Sequence, residues 1–129
     1  MRDVLVVDDH PDLADAIALL LQDQGFATRV AHSAEEALDE AKRRFPEIAI
    51  LDIRLPGIGG LELANRLRRA APLHILLIAF TGSMLAAEHA NLSTEFDAVI
   101  RKPASLDDIM LAIRTATSGM KRGIPRSAE

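Results

Sequence analysis

Cysteine, tryptophan and tyrosine are absent from the 129 residues, and four phenylalanines are the whole aromatic complement. Without thiols there are no disulfides, no thiolate nucleophile and no cysteine metal ligands, and a reducing compartment is permitted. Long apolar runs are missing too. The longest, Leu73 to Phe80, is interrupted by His74 and falls far short of the ~20 residues that cross a bilayer. At the N-terminus, Arg2 and Asp3 precede only the apolar stretch Val4 to Val7, too short for a signal-peptide core. Basic charge is also in short supply: 15 Lys and Arg against 19 Asp and Glu leave a net charge of -4. The small groups Lys42-Arg43-Arg44, Arg66, Arg68-Arg69 and Lys121-Arg122 are scattered as on solvated helix faces, which argues against direct nucleic-acid binding. A soluble cytoplasmic protein with no membrane insertion is the expectation.

What is present is a regular change of pattern, from short continuous apolar runs to helical spacing and back. The runs end at Val7, Leu51, Phe80 and Arg101, while Phe26 to Ala31 alternates weakly and carries Arg29, as suits an edge strand. Between them lie helical stretches. The first starts near Pro11, with Leu13, Ile17, Leu20 and Leu21 on one face and Gly25 as its stop. Ser33 and Glu36 form a capping box for Ala34 to Arg44, with Ala37, Leu38 and Ala41 inward. The loop Pro56-Gly57-Ile58-Gly59-Gly60 leads to a helix with Leu61, Ala64 and Leu67 inward, and a shorter helix is expected over Ser83 to Asn91. Ser105 and Asp108 cap a last helix packed through Leu106, Ile109, Met110 and Ile113.

Strict alternation of this kind predicts an α/β protein, a doubly wound five-stranded parallel sheet in the order 2-1-3-4-5, covered by helices on both faces. One domain, residues 1–118, is expected. Gly119, Gly123 and Pro125 make residues 119–129 an irregular tail too short for an output domain.

The chemistry sits at the ends of the runs. Asp8 and Asp9 close the first, Asp52 the third, Thr81 the fourth, and Lys102 follows the last. In the predicted sheet all five lie at the carboxyl edge, where such folds bind ligands. Carboxylates brought together repel one another, and a hard divalent cation such as Mg2+ relieves them. Asp52 is then a candidate nucleophile toward a phosphoryl group, with Lys102 and the Thr81 hydroxyl contacting the remaining oxygens and Gly82 leaving room. Taken singly, an Asp pair before a helix is an ordinary cap, and Thr81 or Lys102 an ordinary loop residue. One pocket accounts for all of them together. The histidines His10, His32, His74 and His89 share no helical metal-binding spacing, and His89 is expected at the surface.

The pieces Val-Val-Asp8-Asp9, Leu51-Asp52-Ile-Arg-Leu55-Pro56 with Gly59 and Gly60, Thr81-Gly82 and Lys102-Pro103 stand in an order and spacing that resemble the receiver domains of two-component response regulators, which have a flavodoxin-like fold. The resemblance covers about residues 2 to 118. It implies a phosphoacceptor role for Asp52 and a Mg2+ (or Mn2+) site. Asp9 would bind the ion directly, Asp8 mainly through water and Arg54 through its carbonyl, with Asp52 also in the metal set. It further implies a switch hydroxyl at Thr81, a phosphate-contacting Lys102 and a cis Lys102-Pro103 bond. The implied partners are a histidine kinase or histidine phosphotransfer protein and an unidentified downstream protein, and a phosphorylation-dependent homodimer is admitted. The donor is expected over His10, Leu13, Ala16 and Ala104. Two positions depart from the family pattern: Val99 replaces a usual aromatic, and Glu95 a frequent glycine.

Rival readings meet specific obstacles. A haloacid-dehalogenase-like phosphatase requires a second Asp two residues after the nucleophile, where this chain has Arg54. A flavodoxin-like electron carrier requires a phosphate loop where Asp8 and Asp9 would repel the ligand, and no Gly-x-x-x-x-Gly-Lys-Ser/Thr is present for a nucleotide. A degenerate receiver acting only as a protein-binding module would ordinarily have lost pocket residues that are kept here. The expected activity is therefore signalling by phosphoryl acceptance, with self-catalysed transfer and dephosphorylation and no turnover of an external substrate.

Overall fold

The computed structural model describes residues 2–82 and 95–121. Strands β1 (Asp3–Val7), β2 (Ala27–Ala31), β3 (Ile48–Asp52), β4 (Leu76–Thr81) and β5 (Ala98–Arg101) alternate with helices α1 (Pro11–Asp23), α2 (Ala34–Arg43), α3 (Gly59–Ala70) and a C-terminal helix (Leu106–Lys121). The helix expected over Ser83 to Asn91 lies outside the described residues, as do residues 122–129 of the expected tail, while residues 119–121 continue the C-terminal helix and are not irregular. All strand pairs are parallel, in the expected order β2-β1-β3-β4-β5.

Burial explains why the runs read as they do. β1, β3 and β4 are buried along their whole length, because each has a strand on both sides and helices above and below. β2 and β5 are half-buried edges. Successive side chains of the central strands point to opposite faces, so the sheet divides two apolar cores. Leu5, Val7, Ala49, Leu51, Leu77 and Ala79 pack against α2 and α3. Val4, Val6, Ile48, Ile50, Ile78 and Phe80 pack against α1 and the C-terminal helix.

Two helix faces differ from expectation. In α3 the inward stripe is Gly60, Leu63, Ala64 and Leu67, while Leu61 is 40 % exposed. Gly60 sets the rotation of that helix by lying against the backbone of Asp52 and Ile53. In α1 the inward stripe is Ala14, Ile17, Ala18 and Leu21. Leu20 lies about 100° around the axis from Leu21 and is 39 % exposed. Small residues allow both helices to approach the sheet closely, and large apolar neighbours are left on the flanks.

The caps also divide. Ser105 and Asp108 form the reciprocal box: Asp108 N–H donates to Ser105 Oγ (3.2 Å) and Ser105 N–H to Asp108 Oδ2 (3.0 Å). At α2 only half of the box forms. Ser33 Oγ accepts from Glu36 N–H, but Glu36 Oε2 takes the His32 N–H instead of that of Ser33.

Arg29 shows why β2 sits at an edge. Its guanidinium donates to Asp3 Oδ2 of β1 at 3.0 Å and to the carbonyls of Glu40 and Arg44 at 2.9 and 2.7 Å, at the C-terminus of α2. A cation there offsets the negative end of the helix and satisfies carbonyls with no partner inside it. Because these groups are largely screened from water, Arg29→Ala should cost about 2 kcal/mol, or roughly 8 °C in Tm for a chain of this size. Arg43→Ala, which removes only an exposed ion pair with Glu40, should stay within about 0.5 kcal/mol. Thermal melts of the two variants check the difference.

Candidate functional site

The parallel register brings the strand ends level. Val7 pairs with Leu51, Asp52 with Phe80, and Thr81 with Arg101. Asp8 and Asp9 therefore leave β1 beside the end of β3, while Thr81 and Lys102 lie at the far ends of β4 and β5. Two loop bonds hold the outer positions: Asp8 N–H donates to Ala31 O at 3.1 Å, and Lys102 N–H to Thr81 O at 2.7 Å. The Lys102-Pro103 peptide is cis, as expected.

Asp8, Asp52 and Thr81 are buried, Asp9 is exposed, and the Lys102 side chain retains 21 % of its surface. The Lys102 ammonium spans the two buried acids, 3.0 Å from Asp8 Oδ2 and 3.6 Å from Asp52 Oδ2. It also lies 5.2 Å from the centre of the Phe80 ring. Arg54 N–H donates to Asp52 Oδ1 at 3.1 Å and fixes the orientation of that carboxylate. A Cβ on Gly82 would meet no atom of the described residues within 4 Å.

These surroundings drive the two buried acids apart. Burial acts to raise the Asp8 carboxyl, but the His10 N–H, the Lys102 ammonium and the His10 ring outweigh it and hold Asp8 below the usual carboxylate value. Asp52 moves the other way. Burial, reinforced by the charges of Asp8 and Asp9, lifts it above that value against the pull of the Arg54 N–H and Lys102.

The residues fit a divalent cation. Oxygen atoms of Asp8, Asp9 and Asp52 and a ring nitrogen of His10 all lie within 4.8 Å of one another. Asp8 Oδ2 is buried and, beyond the Lys102 ammonium 3.0 Å away, has no hydrogen-bond partner among the described residues. Carboxylate oxygens at such spacing suit a hard ion.

His10 is the residue that sequence reasoning left out of this group. It follows Asp9 directly and caps α1 without a side-chain hydrogen bond. Its ring instead folds back to Asp8 and Asp9, and Asp8 above all, then the charge of Asp9, pushes the imidazole above its usual value. The signal available was its place between an acidic pair and a helix start. Glu95, one of the two departures, lies beside Arg68 of α3, which donates to its carbonyl at 2.7 Å and comes within 3.8 Å of its carboxylate. Val99 is half-buried and packs against the α2–α3 core.

A flavodoxin-like sheet with clustered acids and a lysine at its carboxyl edge defines a signalling module of the receiver class. A family model described as "Response regulator receiver domain" matches residues 4–114, and the chain belongs to that family. Such domains are signalling modules and not classical enzymes. The chain is 31 % identical over 111 residues to the probable transcriptional regulatory protein TcrX of Mycobacterium tuberculosis, covering 86 % of this chain and 47 % of that one. It spans about half or less of the length of the first curated relatives it matches. The CheY-like receiver domain protein of Methanospirillum hungatei superposes with a TM-score of 0.84 at 26 % identity, covering 95 % of this chain and 98 % of that one. A response regulator of Burkholderia pseudomallei, solved with a phosphorylated aspartic acid, calcium ion and citrate, superposes with a TM-score of 0.81 at 28 % identity, covering 95 % and 72 %.

Gly60 couples this site to the fold. A Cβ there would strike the Asp52 carbonyl oxygen and stand 2.7 Å from Ile53 Cα, both backbone atoms that cannot swing away. Gly60→Ala should therefore cost about 2 kcal/mol and displace Asp52. Melting with and without Mg2+ should show a lower Tm and a smaller Mg2+-induced rise than in the parent.

Proposed function

We propose that this chain accepts a phosphoryl group on Asp52 from a histidine kinase or histidine phosphotransfer protein and signals through altered protein contacts. The observation that carries the reading is the placement of the Asp52 carboxylate between the acid cluster on one side and the Lys102 ammonium on the other. The phosphorylated aspartic acid and calcium ion of the Burkholderia pseudomallei relative support the same chemistry on this fold.

Asp8, Asp9, Asp52 and the Arg54 carbonyl are the proposed holders of Mg2+ or Mn2+. When bound, the ion neutralises charge on the transferring phosphoryl oxygens. The chain supplies the rest. Arg54 N–H points the Asp52 carboxylate, one of whose oxygens forms the new P–O bond as the P–N bond of the donor phosphohistidine breaks and its imidazole leaves. Lys102 and the Thr81 hydroxyl contact the phosphoryl oxygens that remain. Hydrolysis of the resulting acyl phosphate by water returns Asp52 as a carboxylate, so transfer and loss both proceed without a separate catalyst. Every pocket residue of the family motif is kept, and nothing in the site favours a degenerate, phosphorylation-independent module.

Location and partners extend this proposal. Among the described residues no helix is long and apolar enough to cross a membrane, which accords with the cytoplasmic setting of such regulators. The expected lack of nucleic-acid contact finds no support in the relatives, several of which are named as transcriptional regulators.

Incubation with acetyl phosphate and Mg2+ should add one acid-labile phosphoryl group to the parent and none to Asp52→Asn; equal labelling of the two would refute the assignment. For the donor, Ala16 is the better probe than Leu13. Ala16 is exposed, whereas Leu13 is partly buried against the core, so a charge at Leu13 would disturb folding. Ala16→Arg should slow transfer from a phosphorylated protein donor about tenfold, the equivalent of ~1.4 kcal/mol, and leave acetyl phosphate labelling unchanged. Parallel time courses with the two donors separate docking from chemistry.

A further inference from the structure

We infer that His10 contributes a nitrogen ligand to the cation site at the carboxyl edge and shifts its selectivity from Mg2+ toward Mn2+ and similar borderline divalent ions; this rests on the metal-site reading above. His10 occupies the N-cap of α1, a position normally taken by residues whose side chain accepts a helix N–H. Its backbone is extended there (φ -96°, ψ 102°), yet the imidazole makes no cap bond. The ring is 70 % exposed and is not drawn down by apolar packing. It is turned instead toward the acids, with Nδ1 3.0 Å from Asp8 Oδ1 and 3.3 Å from Asp9 Oδ1.

Those separations are those of ligands to a common ion. Donor atoms bound at about 2.1–2.2 Å and at right angles to one another lie roughly 3 Å apart, and opposite donors somewhat over 4 Å. The spread of 4.8 Å over Asp8, Asp9, His10 and Asp52 is a few tenths of an ångström wider than that, a difference small side-chain rotations close. The donor type then discriminates among ions. Mg2+ prefers oxygen and keeps its waters, whereas imidazole favours transition ions, for which Mn2+ is the hardest and closest in geometry. An oxygen-only site at this edge would lack that bias.

The competing account is that the ring only donates a hydrogen bond to the two carboxylates and stays outside the coordination sphere. The experiment uses the full chain, its His10→Phe variant, which keeps the ring shape without nitrogen, and His10→Gln as a polar control. Mn2+ and Mg2+ affinities are measured by calorimetry, and the Mn2+-loaded proteins are examined by electron spin echo modulation. The expected result is a nitrogen coupling in the parent that vanishes in both variants, with the ratio of Mn2+ to Mg2+ affinity falling about tenfold. Bound Mn2+ without nitrogen coupling, coupling that persists in the variants, or an unchanged affinity ratio overturns the inference and leaves the acidic site standing. Failure of the parent to bind either ion overturns the proposed metal site, and this inference with it.

Discussion

The crowding of carboxylates at one sheet edge is the constraint on which the rest of this structure turns. Asp8 and Asp52 are nearly out of reach of water, where unpaired negative charge is expensive. They are held there by the register of the central strands, which are buried on both faces and cannot slip by one residue without turning their side chains into the wrong core. The apolar interior thus imposes the proximity, and the Lys102 ammonium and the hydrogen bonds from the His10 and Arg54 amides make it tolerable. A cation and a phosphoryl group are the species such an arrangement is suited to receive.

Positions on strand ends also give the site its rigidity. Three of the five candidate side chains, Asp8, Asp52 and Thr81, lie at the ends of buried strands directly after Val7, Leu51 and Phe80. The two departures from the family pattern fall away from this centre. Glu95 is tied by its carbonyl to α3, and Val99 packs into the core on that same side.

Much of this was legible in the sequence, for a physical reason. Strands buried on both faces must be continuously apolar, so β1, β3 and β4 announce themselves, and the polar residue that ends each run marks the ligand-binding edge. Side-chain direction around a helix is less legible when small and large apolar residues are mixed. Leu61 and Leu20 were expected inward, but Gly60 and Ala18 take the close contact and the leucines are displaced to the flanks. Bonds between elements distant in sequence are not legible at all from local pattern. Arg29 gives no sign that it will close the end of α2, and Arg68 none that it will reach Glu95. The half-formed cap at Ser33 has the same origin, since the competing donor at His32 depends on the path of the chain leaving β2.

The span between the acids and their lysine has a consequence for how the chain becomes electrostatically complete. The acids are all in place by the end of β3, but the ammonium that faces them is fifty residues further on. It arrives only when β5 and the capped helix after it have docked. An assembly of β1, β2 and β3 with their helices would hold its carboxylates together with only the exposed His10 ring beside them. Closure of the last strand is therefore also an act of neutralisation, for which a dissolved divalent ion offers the early half of the chain a substitute.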